Sequence, residues 1–127
     1  MTERPPAAFE VADAGLLYAP GVAIRGEVDL QTAGDLVEAL DAAIRDSHGV
    51  FVIDLCDVEF FDSSGLSALM RARALLGREN RALVVVCPPG PVRRLFEVTR
   101  VAEVLELHDS REDAERSLTH RGPEPRV

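Results

Sequence analysis

The run from Val50 to Leu66 constrains this chain more than any other stretch: Val-Phe-Val-Ile-Asp-Leu-Cys-Asp-Val-Glu-Phe-Phe-Asp-Ser-Ser-Gly-Leu. Val50 to Leu55 is apolar but for one aspartate and reads as a buried strand. A short acidic loop is predicted next, and Asp62-Ser63-Ser64-Gly65 then opens a segment of helical period. Ser and Asp side chains accept hydrogen bonds from the N–H groups that a first helical turn leaves unpaired, so this is a helix cap. Those N–H groups and the helix dipole also favour negative charge, which suits the same place to a phosphate.

The rest of the chain repeats the strand–helix theme. Ala8 to Val11 and Leu16 to Tyr18 read as short strands joined by a turn at Asp13-Ala14-Gly15. Val22 to Val28 is the next strand, with Val22, Ile24 and Gly26 on one face. Thr32 with Asp35 resembles a capping box. Leu36, Leu40 and Ile44 form a helical stripe that ends near His48-Gly49. A second helix, carrying Leu66, Leu69, Met70, Leu75 and Leu76, ends at Gly77. Ala82 to Cys87 has the near-continuous apolar pattern of a strand buried on both faces. Pro91 fits the first position of a third helix, Val104 to Leu107 a final strand, and Ser110 the cap of a last helix through Leu118. Such alternation predicts an α/β domain with a mostly parallel sheet and right-handed crossovers.

At 127 residues the chain is expected to be one domain, spanning residues 8–118, with flexible ends at 1–7 and 119–127. No apolar run approaches the ~20 residues of a membrane span. Met1-Thr2-Glu3-Arg4-Pro5-Pro6 lacks the pattern of a signal peptide, so the expectation is a cytoplasmic protein that does not engage the membrane. Cys56 and Cys87 then read as buried, reduced thiols. Through Asp62 there are 13 acids against three arginines, and beyond it nine acids against 11 arginines. An acidic chain without a concentrated basic stripe is not expected to bind nucleic acid. No metal site and no cofactor are expected, because the cysteines have no neighbouring histidines and there is no phosphate-binding loop signature.

Three blocks carry a resemblance to a known family. Asp54-Leu55, Phe60 and Asp62-Ser63-Ser64-Gly65-Leu66 resemble the signature of STAS domains, in particular bacterial anti-sigma factor antagonists. Gly26-Glu27-Val28-Asp29 and Gly90-Pro91-Val92-Arg93-Arg94-Leu95-Phe96 agree with it, in order. The resemblance implies a mixed sheet with an N-terminal antiparallel portion and helices mainly on one face. It implies a protein that, unphosphorylated, binds an anti-sigma factor with serine kinase activity and so frees a sigma factor. A serine phosphatase would be a further partner. It makes Ser63 the phosphoacceptor, with Ser64 the lesser candidate, and places Asp29, Asp62, Gly65, Gly90 and Pro91 at the partner-binding edge. The alternative is a STAS scaffold or transport-accessory module in which Ser63 only caps a helix.

An enzyme is not expected. A nucleophile elbow needs Gly-x-Ser-x-Gly, and Phe61 or Asp62 stands where the first glycine should be. No histidine (His48, His108, His120) is placed near Ser63 by pattern. Arg71, Arg73, Arg78, Arg81, Arg93, Arg94 and Arg100 read as solvated helix faces. Arg100 stands where many relatives have a glycine, which implies modest strain if that position needs positive φ.

Overall fold

The computed structural model describes residues 9–121. Its elements are β1 (Phe9–Asp13), β2 (Gly21–Val28), α1 (Ala33–Arg45), β3 (Phe51–Phe61), α2 (Ser63–Gly77), β4 (Leu83–Val86), α3 (Pro91–Val98), a 3-10 turn (Val101–Glu103), β5 (Glu106–His108) and α4 (Arg111–His120). The five strands form one sheet in chain order. β1 runs antiparallel to β2, and the other pairs are parallel. This is the mixed sheet that the resemblance implied.

Alternation along the central strands divides the apolar residues between two layers. Phe51, Ile53 and Leu55 of β3, with Leu83, Val85 and Cys87, join Leu36, Leu40 and Ile44 of α1, Leu69, Ala72 and Leu76 of α2, and Phe96 of α3. Val52, Val84 and Val86 point to the other face, where Ala114 and Leu118 of α4 cover them. Three helices therefore share one face and α4 holds the second. Being covered on both sides is why β3 and β4 read as unbroken apolar runs.

The stretch 56–61 was expected to be an acidic loop, but it is strand. β4 stops at Val86, opposite Asp54, whereas β3 continues beside β2 until Phe61 pairs with Val28. β3 carries one extra residue at each of two register shifts, where Arg25 meets Asp57 and Glu27 meets Phe60. Such bulges bend and twist a strand, and they break the alternation that would have marked these residues as β. Gly26, at φ 94°, sits in this irregular stretch.

Other expectations need correcting. Leu16 to Tyr18 is not a strand but a bent segment, with Leu17 and Tyr18 exposed and Leu16 packed on the α4 layer. Thr32 makes no side-chain cap. The Asp29 carboxylate instead accepts from the backbone N–H of Gln31 (2.9 Å) and Thr32 (3.1 Å). The last strand begins at Glu106, because Val101–Glu103 form the 3-10 turn. Ser110 does cap α4, accepting from the Asp113 N–H at 3.1 Å. Ala8, first residue of one expected strand, and the ends at 1–7 and 122–127 lie outside the described residues.

The chain ends of the described fold point to opposite edges. Phe9 pairs with Gly26, close to where β2 finishes. α4 returns to the start of β5, where Arg121 holds both oxygens of Glu106 at 2.6 Å.

Candidate functional site

Asp62 ends the β3 overhang and caps α2. Its backbone N–H donates to the Val28 carbonyl at 3.2 Å, which fixes it beside the end of β2. Its carboxylate accepts from the Ser64 N–H at 2.8 Å. Asp62 therefore supplies the cap that sequence reasoning divided between aspartate and serine. Ser63, the first residue of α2, is exposed, while Ser64 is half-buried. Among the described residues neither hydroxyl has a hydrogen-bond partner.

Gly65 is fixed by packing. A Cβ at this position would lie 2.6 Å from the Phe61 ring, far inside contact distance. Phe61 in turn meets Phe96 of α3 edge-on, with centroids 5.6 Å apart and planes at 80°. The first turn of α2 is thus seated on an aromatic pair that also anchors α3.

Asp29 follows β2 as Asp62 follows β3, so two carboxylates close adjacent parallel strands at one sheet edge. Sites in parallel sheets assemble where strand ends meet helix N-termini. Gly90 and Pro91 leave the sheet from the shorter β4. Gly90, at φ 153°, precedes Pro91 in the first position of α3, and its carbonyl accepts from the Arg94 N–H at 2.9 Å. Among the described residues no hydrogen bond or ion pair joins Gly90 or Pro91 to Asp29, Asp62 or Ser63. Their link to the serine edge runs through Phe96 and Phe61.

Two features of this region escaped the sequence reading. Asp54 is a buried carboxylate, 4% exposed, bonded to Arg111 at 2.5 Å and to the Cys56 N–H at 2.8 Å. Arg111 also donates to the Ala14 carbonyl, so one pair ties β3, α4 and the segment after β1 together. The carboxylate holds the Arg111 guanidinium above its usual range. An aspartate in the midst of Val-Phe-Val-Ile was the available signal, since such a group is seldom buried without a partner. The other feature is a pair of large apolar side chains left in solvent at this edge, Leu30 and Phe60.

Cys87 is buried as expected, but Cys56 is exposed, and both are free thiols. Cys56 lies in β3 beyond the point where β4 stops, next to the buried Asp54 carboxylate that accepts its N–H. Desolvation, reinforced by Asp54, pushes its thiol up to about 12. Burial pushes Cys87 up to about 11.

The arginines divide as well. Arg81 is not solvated: with its side chain 6% exposed, it donates to the carbonyls of Gly49 (2.7 Å) and Ile44 (2.9 Å) and to Ser47 Oγ (2.9 Å). It thereby closes the C-terminus of α1. Arg93 is half-buried between the Cys87 carbonyl and Asp109. Arg73, Arg78 and Arg94 are exposed.

The α4 side carries an open hollow of about 460 Å³ lined by His108, Asp109, Asp113, Arg116 and His120. It lies on the other face from α2. Among the described residues no His, Cys, Asp and Glu side chains converge in threes as a metal would need. No described helix is long and apolar enough to cross a membrane.

The family model described as "Mlab, STAS domain" matches residues 14–109. The anti-sigma-B factor antagonist of Listeria monocytogenes serovar 1/2a is 32% identical over 84 residues, covering 66% of this chain and 74% of that protein. A protein of the same name from Staphylococcus aureus is 25% identical over 91 residues, covering 72% and 84%. The crystal structure of an anti-sigma factor antagonist from Mycobacterium paratuberculosis has a TM-score of 0.77 at 30% identity, over 93% of this chain and 99% of that one. The unphosphorylated form of the anti-sigma factor antagonist SpoIIAA, at 18% identity, matches in fold alone, with a TM-score of 0.63 over 88% and 97% of the two chains. A five-stranded mixed sheet, its first pair antiparallel and the rest parallel, agrees in fold with these matches, and the family match spans most of the chain: it belongs to the STAS-domain family, alongside relatives that are anti-sigma factor antagonists.

Proposed function

We propose that this chain is itself an anti-sigma factor antagonist. Its unphosphorylated form binds an anti-sigma factor that is also a serine kinase, and that kinase switches binding off by phosphorylating Ser63. The observation that carries this reading is the division of labour at the α2 cap. Asp62 satisfies the Ser64 N–H, and Ser63 is left exposed with a free hydroxyl. A structural cap would spend its oxygen on the backbone. This one is open to a kinase.

The switch is local. A helix N-terminus tolerates a phosphate, so modification need not unfold the domain. It adds about −1.5 to −2 charges beside Asp62, at an edge that already carries Asp29. A like-charge contact near about 6 Å, at an effective dielectric of about 20, costs roughly 3 kcal/mol. Since about 1.4 kcal/mol is tenfold in affinity, one such contact lowers binding by about 10²-fold. Ser63→Ala is therefore expected to bind the partner constitutively, and Ser63→Glu weakly, with melting temperatures close to wild type. The partner is isolated on the immobilised chain, then tested for phosphate transfer by peptide mass spectrometry and for binding by calorimetry. Phosphate found only on Ser64, or Ser63→Glu binding as tightly as wild type, defeats the switch. No transfer to either serine returns the chain to the scaffold reading, in which Ser63 merely begins a helix.

A further inference from the structure

Leu30 is 81% and Phe60 49% exposed, and both belong to the serine edge. Phe60 precedes Phe61, which pairs with Val28, and Leu30 lies two residues beyond Val28. A leucine left this open contributes nothing to the core.

Charge sets the context. Residues 26–35 and 57–66, which build this edge, contain Glu27, Asp29, Asp35, Asp57, Glu59 and Asp62, and no Arg, Lys or His. Among the described residues none of these six takes part in a salt bridge.

We infer that Leu30 and Phe60 are the apolar anchors of this edge, seating in a recess of a partner protein whose rim carries arginine or lysine. The inference rests on the reading above that the edge is a docking face, and it adds the chemistry of the surface that docks there. A second copy of the chain does not fit, because it would set six carboxylates against six. An anionic lipid surface is repelled for the same reason. Buried apolar contacts at an interface act chiefly on dissociation, while exposed charges steer encounter. The two groups of side chains therefore have separable effects.

The test uses the protein that the immobilised wild-type chain retains from extract of its own cells, purified and identified. Association and dissociation are followed by surface plasmon resonance at low and moderate salt. Leu30→Ser and Phe60→Ser are each expected to speed dissociation at least tenfold while association stays within about threefold. Glu27→Gln combined with Glu59→Gln should slow association several-fold and flatten its salt dependence. Thermal melting keeps these results apart from unfolding, and Leu30, in a turn and almost wholly exposed, is the safer variant. If both serine variants dissociate like wild type from a partner that phosphorylates Ser63, the anchors are wrong and the switch stands. If dissociation speeds up but no phosphate reaches Ser63, the anchors stand and the switch is wrong. A chain that retains no protein, or one that sediments as a dimer dispersed by Leu30→Ser, overturns the proposal.

Discussion

At the scale of single residues, Gly65 is the tightest fit in the candidate site. Its missing side chain lets the first turn of α2 rest on the Phe61 ring, where a Cβ would come within 2.6 Å of the ring and clash. Phe61 cannot yield easily, because its ring is also packed edge-on against Phe96. Gly65→Ala is expected to cost about 1–3 kcal/mol, as overpacked sites do, measurable as a lower melting temperature. Unchanged stability would mean that the aromatic pair is free to shift. The serine and its neighbouring aspartate were legible in sequence because a cap has a short, local grammar. The burial of Asp54 had a local sign, an aspartate within an apolar strand, but its partner had none, since Arg111 lies 57 positions away.

At the scale of elements, the positions of most strands and helices follow from apolar periodicity. What periodicity missed has physical causes. Bulges hid the outer half of β3, and an Asx turn at Asp29 took over the capping that Thr32 was expected to provide. The join after α3 is a different case. Arg100 sits in the left-handed region at φ 66° and ψ 11°, so the strain inferred from sequence is present. Its bond to Glu103 at 2.9 Å joins two exposed side chains and is worth little. Left-handed backbone costs about 1–2 kcal/mol for a side chain, and glycine gives back part of that in chain entropy. Arg100→Gly should therefore stabilise by about 0.5 kcal/mol, a rise of roughly 2 °C in melting temperature. A fall would show that the Arg100–Glu103 contact outweighs the backbone.

At the scale of the whole molecule, α4 is held to the sheet by ionic clasps at both ends as well as by Ala114 and Leu118. At its end, burial alone would raise the Glu106 carboxyl, but hydrogen bonds from Arg121 and His108 outweigh it and keep the group below its ordinary value of 4.5. A carboxyl lowered on folding stabilises the fold above its unfolded value, and that contribution is lost as pH falls through the folded value. Hydrogen exchange in β5 and the last turn of α4 should accelerate below about pH 4.5 before the β2–β4 core responds. Glu106→Gln should show the same fraying at neutral pH. Exchange that rises evenly across the sheet would mean that the clasp contributes nothing.

The antiparallel first strand also decides how the molecule can be handled. Because Phe9 enters the sheet opposite Gly26, a linkage joined directly to Phe9 starts at the edge where β2 ends. Arg121, clamped to the start of β5, leaves from the far edge. A linkage made directly at Arg121 starts from the opposite edge and leaves the serine edge clear.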